Sequence, residues 1–360
     1  MKAKTFSFLK KFADSPSPSG FEQPAQRVWR DHVSSHVDRV DTDVMGNSWG
    51  VIEGKSTDAA KRPRVMLAGH CDEVGLMVRY VDDQGFISFA AVGGVDAHLL
   101  PGCRVTVHGA GGEVPGVIGR NPIHLLEADE RTKVAKLKTL FIDIGVEDRE
   151  AAEALVAIGD PVTFTPGVDR LQKDIVMGRG FDDKVGAMIV GEVLRRVADK
   201  KISLDCDLYG VSTVQEEIGL RGAHTSAFGI DPDVGICVEV TFASDYPGAD
   251  KKTVGDVQVG KGPVLSRGAN INHKLFELLK ATAKENKIPL QFEAAPRATG
   301  TDANVMQLTR GGVATALVEI PLRYMHTSGE VLSLSDVENA ITLIVATLQK
   351  INGTIDWRPE

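Results

Sequence analysis

Five segments of this chain set acids and imidazoles at or near the ends of buried strands or, for Asp182 and Asp183, before a helix. AGHCDEVG carries His70 and Asp72, GRGFDDKVGA carries Asp182 and Asp183, VQEEIGLRGA carries Glu216 and Glu217, GICVEV carries Glu239, and PLRYMHTSGE carries His326. Singly, each has an ordinary role: Asp182 with Asp183, or Glu216 with Glu217, can cap a helix or complement its dipole. Their recurrence at one rim is what points to a site. Two unit charges 4 Å apart repel by about 4 kcal/mol at an effective dielectric of 20, so several carboxylate pairs would rival the ~5–15 kcal/mol stability of a whole domain. Something positive must sit among them. Arg179, Arg221 and Arg323 can neutralise part of the charge, but two imidazoles beside the acids favour divalent metal, and His and carboxylate donors without thiolate suit zinc, cobalt or manganese. His70 and Asp72 are spaced i, i+2 and share a face on extended backbone, so Asp72 is expected to orient the imidazole rather than to ligate. Glu216 and Glu217 pose a question, because neighbours on a strand point to opposite faces.

The elements that must position these residues read as an α/β fold, in which ligands bind outside the carboxyl ends of the strands. Helices are predicted over TFSFLKKFAD and EQPAQRVWRDHVSSHV, two strands within DRVDTDVMGNSWGVIEG, and a buried strand over VMLAG that delivers His70. From about 74 to 164 the texture changes to short alternating runs (GLMVRYV, GFISFAA, RVTVHGA, EVPGVIG, LFIDIGV) with one helix over EDREAAEALVA, the pattern of an inserted all-β module. Beyond it, helices alternate with apolar strands (CDLYGV, GICVEVT, ATALVEI), which predicts a mainly parallel sheet covered by helices. The chain thus divides into 1–73 and 165–360 as one catalytic α/β domain, with 74–164 as the insertion. His32 and His36 are placed on the solvated face of the second helix, Thr301 and Asp302 at the cap of a helix over ANVMQLTR, and His124 at the edge of the β module. His98, His108, His224 and His273 are read as structural.

With 360 residues, 42% apolar, the chain can bury a large core. A net charge of −8 without a basic block argues against nucleic acid or anionic membrane as partner. No apolar leader and no 18-residue apolar run occur, so a cytoplasmic protein is expected. Cys71, Cys103, Cys206 and Cys237 stand far apart, without a CxxC pair, and are expected to be free thiols.

In order, AGHCDEVGLMV, GRGFDDKVGA, VQEEIGLRGA, CVEVTFASDYPG, TGTDANVMQ and PLRYMHTSGE resemble the M42 family of dinuclear metalloaminopeptidases, which includes glutamyl, deblocking and tetrahedral aminopeptidases. The resemblance implies a zinc-peptidase-like α/β/α fold with a barrel-like insertion involved in oligomer contacts, assembly as dimers or dodecamers, and peptide substrates. It implies two divalent ions per subunit, bridged by Asp182, one completed by His70 and Glu239, the other by Glu217 and His326. Glu216 matches the general base acting on a metal-bridging water, and a cis peptide is expected between Asp182 and Asp183. On this reading strand geometry stops at Glu216, so that Glu217 turns to a metal while Glu216 faces the water; Gly219 and Gly222 permit the departure.

One position departs from the family pattern. At Glu239 the family usually has aspartate, whereas glutamate is frequent in M20-type enzymes, which keeps a metal-dependent carboxypeptidase or N-acyl amino acid deacylase as a second expectation. Two further readings come from other classes: a metal-independent glycoside hydrolase using Glu216 and Glu239, and a non-catalytic assembly protein in which metal only stabilises the fold.

Overall fold

The computed structural model describes residues 1–55, 62–129 and 131–359. Among these, the central sheet has eight strands, in the spatial order Arg39–Thr42, Ser48–Ile52, Asp207–Thr213, Arg64–His70, Val234–Phe242, Ala314–Leu322, Val264–Gly268 and Gln291–Ala295. The four strands from Asp207–Thr213 to Ala314–Leu322 run parallel. Their sequences are continuous apolar runs because both faces are covered; Ala314–Leu322 is buried at every position. Alternation along Arg64–His70 divides its side chains between two cores, Val65 and Leu67 into the larger, Met66 and Ala68 into the smaller. The borders are antiparallel, a hairpin of Arg39–Thr42 with Ser48–Ile52 on one side and Val264–Gly268 on the other.

The helix Phe181–Asp199 lies across Arg64–His70 and Val234–Phe242 and is buried along nearly all its length. Glycine permits the contact: a Cβ on Gly69 would lie 2.5 Å from the backbone nitrogen of Ala187. Helices Ala3–Asp14, Gln23–Val33 and Leu334–Leu348 pack against this long helix, and Trp29 Nε1 donates to the Ala187 carbonyl at 2.9 Å. The smaller core lies under Arg221–Ile230 and Ala303–Met306.

His32 does not lie on a solvated face. It stacks on Phe8 with ring centroids 3.6 Å apart, and its Nε2 meets the buried Glu192 carboxylate at 2.9 Å. The second helix packs on two neighbours at once, so its buried sector is wider than the Ala25–Trp29–Val33 stripe.

Six strands, Gly75–Val81, Ile87–Val92, Phe141–Asp143, Gly112–Gly119, Arg104–Gly109 and Pro161–Phe164, close into a barrel in that order. It has a core of its own, including Leu76, Ile87, Val107, Ile118 and Ile142. His124 is exposed on a short turn of this part. A third, small sheet joins Val168–Arg170, Ile175–Gly178 and Glu330–Ser333, pairing Gly178 with Glu330. All four cysteines are free thiols, and among the described residues no helix is long and apolar enough to cross a membrane.

Candidate metal centre

His70 is the last residue of its strand, and its backbone N–H donates to Asp183 Oδ2 at 3.2 Å. Its Nδ1 lies 3.0 Å from the backbone oxygen of Asp72, which can only accept, so Nδ1 carries a proton and Nε2 is the nitrogen turned to the acids. Nε2 faces Asp182 Oδ1 at 3.2 Å and Glu216 and Glu239 at 3.7 Å each. The same logic holds for His326. Its Nδ1 is 2.8 Å from the Gly94 carbonyl, and its Nε2 faces Asp182 Oδ2 at 3.2 Å and Glu217 Oε2 at 3.3 Å. Two triads result, His70–Asp182–Glu239 and Asp182–Glu217–His326, with the donor atoms of each within 4.8 Å of one another. Asp182 offers one oxygen to each. The six residues expected at the centre from sequence therefore stand together, and the Asp182–Asp183 peptide is cis.

The two adjacent glutamates face one site because the strand ends before them, at Thr213 rather than at Glu216. The chain then takes left-handed turns at Gln215 (φ 57°), Gly219 (φ 122°) and Leu220 (φ 57°). Gly222 serves otherwise than expected: a Cβ there would lie 2.2 Å from the Val214 carbonyl oxygen, so it permits close approach rather than an unusual φ. Asp72 stands beside the His70 imidazole as expected and has a second part. Beyond His70 the chain is no longer extended strand, and the Asp72 carboxylate accepts the N–H groups of Glu216 (3.0 Å) and Glu217 (3.2 Å) and the Ser19 hydroxyl (2.7 Å), while staying 3.4 Å from His70 Nδ1. It fixes the glutamate turn more than it holds the imidazole.

Sequence reasoning missed Glu330. Buried, it accepts from the backbone N–H of Phe181 (2.6 Å) and Asp182 (3.2 Å) on one oxygen and of His326 (2.8 Å) on the other, clamping the two segments that carry Asp182 and His326. The acid stood at the end of PLRYMHTSGE, but only the pairing of Gly178 with Glu330 brings it there. Also missed was Glu73, fully buried between Arg179 and Lys184 and tying the turn after His70 to the segment before Asp182. Asp302 is not a side-chain cap. Its carboxylate accepts from Thr213 Oγ1 at 2.5 Å, since the helix it precedes runs only over Ala303–Met306 and lies under the sheet.

None of the arginines considered from sequence compensates the centre: Arg179 pairs with Glu73 and Arg323 with Asp245, and Arg221 is exposed. Among the described residues the cationic partners of Asp182, Glu216, Glu217 and Glu239 are histidines alone. Burial accordingly pushes the Glu216 carboxyl up to about 9, and burial with Asp183 next to it pushes Glu239 well above the carboxylate range. At Asp182 burial acts the same way, but hydrogen bonds with His326 and His70 outweigh it and hold the carboxyl low. His326, despite burial, is raised to about 11 by Asp182 and Glu217. Glu217 Oε1 and Glu239 Oε1 are buried without a donor. A donor set of two imidazoles and three carboxylates, with orphaned oxygens and excess negative charge, fits a pair of divalent cations.

The centre opens into a cavity of about 410 Å³. The sequence profile of the family described as M42 glutamyl aminopeptidase matches residues 49–343. The chain is 38% identical over 357 residues to a lysyl aminopeptidase of Pyrococcus furiosus, covering 98% of this chain and 99% of that one. Among solved structures, a TET aminopeptidase from a marine sediment Thaumarchaeota archaeon superposes with a TM-score of 0.91 at 35% identity, covering 97% of this chain and 98% of that one. The TET1 peptidase of Pyrococcus horikoshii, described as able to assemble into a tetrahedron or a large octahedral shell, gives a TM-score of 0.85 at 30% identity, over 96% of this chain and all of that one.

Proposed function

The chain belongs to the M42 peptidase family and is a metallopeptidase, and on that premise we propose that it removes N-terminal residues from peptides at a dinuclear centre with Glu216 as general base. The observation that carries the reading is the pair of triads sharing Asp182, with one further glutamate beside them that belongs to neither. His70, Asp182 and Glu239 would hold one ion and Asp182, Glu217 and His326 the other, with zinc, cobalt and manganese all matching the donors. Two such ions, when bound, polarise the scissile carbonyl and lower the pKa of water.

The chain's own residues do the rest. Glu216, its backbone pinned by Asp72 and its carboxylate turned toward the shared centre, takes a proton from the attacking water and passes it to the leaving amine. The free α-amine of the substrate docks beside Glu239, whose Oε1 awaits a donor. Glu216→Gln is expected to retain metal content and lose about 10²- to 10⁴-fold in turnover. Wild-type activity in that variant, measured on an aminoacyl anilide with metal content matched, would remove Glu216 from the role.

We further propose that the protein works in the cytoplasm, which accords with its four free thiols, and that it forms a homo-oligomer, a dimer or a dodecamer built from dimers. The barrel is the part assigned to those contacts; it carries exposed apolar side chains at Ile123 and Leu125.

A further inference from the structure

The cavity extends from the two triads across the sheet toward its Gln291–Ala295 border. Strand register sets Glu319 directly beside Glu239 on the neighbouring strand, about 5 Å away between backbones. Ser266 stands one strand further, paired with Glu293. Glu319 Oε2 accepts from Ser266 Oγ at 2.6 Å, and Glu293 Oε2 accepts from Thr241 Oγ1 at 2.7 Å, two residues beyond Glu239 on its own strand. Two carboxylates thus line the cavity past the centre, outside both triads.

Glu319 is only 4% exposed, yet it lines the cavity. One of its oxygens takes the Ser266 hydroxyl; the other takes no donor among the described residues, and no cation there pairs with Glu319 or Glu293. A buried carboxylate without a counter-charge is costly. Burial, with the negative Glu293 next, pushes the Glu319 carboxyl up to about 8, as befits an acid that lacks its partner. Apart from the histidines, the cation lining this cavity is Arg297, exposed on the loop at its mouth. An acidic side chain entering would meet two carboxylates at depth. A basic one would meet Arg297 only in passing.

We propose that Glu319 and Glu293 form the pocket that selects a basic N-terminal side chain, lysine or arginine, on the substrate of the aminopeptidase reading, on which this inference rests. With the α-amine beside Glu239, a lysine's four-carbon stem spans the single strand spacing to Glu319, and its ammonium supplies the missing donors.

The test compares lysyl, arginyl, norleucyl, leucyl and glutamyl p-nitroanilides with the metal-supplied protein. Norleucine has the lysine stem without the charge. The lysyl and arginyl substrates are expected to exceed the norleucyl in kcat/KM by about 10- to 100-fold. E319Q, which keeps the Ser266 hydrogen bond, should erase most of that ratio; E293Q should lower it less. Calorimetric binding of free lysine against norleucine gives the same comparison without turnover. Equal rates for lysyl and norleucyl substrates, or a preference for the glutamyl one, overturn the pocket and leave the aminopeptidase standing. Hydrolysis of none of the five overturns both. Should E319Q fail to fold, the wild-type ranking alone decides.

Discussion

At the level of single residues, the centre depends on groups that never enter it. Glu330 is the clearest case: one carboxylate accepts three backbone N–H groups, from Phe181, Asp182 and His326. His326 needs this hold, because its φ of 61° lies in the left-handed region that a non-glycine residue occupies only when its surroundings over-determine it. Glu330→Gln turns one acceptor oxygen into a donor facing an N–H. Partners of this kind cost about 10- to 100-fold in metal affinity when removed, so the variant is expected to bind zinc weaker by that factor in competition with a chromophoric chelator. Unchanged affinity would mean that the clamp does not govern the ligands. Asp72 has a comparable part for Glu216 and Glu217, and neither acid can be told from a solvated one by its type alone.

At the level of elements, the close approach of strand and helix carries the geometry. Gly69→Ala drives a methyl group to 2.5 Å from the Ala187 nitrogen and the Gly186 carbonyl carbon; overpacking of this sort costs about 1–3 kcal/mol, read as a lower urea midpoint. Gly229→Ala, on an exposed helical position with nothing within 4 Å of the new Cβ, is the contrasting case and should leave stability equal or up to ~1 kcal/mol higher. The parallel strands were legible in the sequence because both faces are buried and they read largely as apolar runs, and the barrel strands because short apolar runs recur between glycine-rich turns, as in GLMVRYV, observed as Gly75–Val81 with a bulge between Val78 and Tyr80 that breaks its alternation. The five candidate donors and the proposed base were legible because they stand in or beside those runs, or at the start of the long helix. Illegible were Gln291–Ala295, a border strand with no fully buried residue, and the small sheet of Val168–Arg170, Ile175–Gly178 and Glu330–Ser333, whose strands are short and whose last strand pairs with Ile175–Gly178 across more than 150 residues. Glu330 shared that obscurity, since register rather than local pattern brings it to the centre. The point at which the strand stops before Glu216 was likewise beyond pattern, being set by tertiary bonds to Asp72.

For the molecule as a whole, assembly is the open property with a direct measurement. A net charge of −8 keeps copies soluble, while the exposed Ile123 and Leu125 on the barrel, together with Phe228 and Phe242 elsewhere, offer apolar surface for association. Sedimentation is expected to give a discrete multiple of 38.6 kDa, two or twelve copies, and a single species at the monomer mass across micromolar concentrations would refute the oligomer. The barrel also has a duty toward chemistry. Its Gly94 carbonyl is the acceptor that fixes the proton of His326, and a side chain at Gly94 would crowd that ring at 3.1 Å. Custody of one imidazole is therefore split between two separately cored bodies, so trading barrels is never a purely architectural exchange: the incoming loop must bring a carbonyl to the same nitrogen, and a residue small enough to spare the ring, on the other side of the seam.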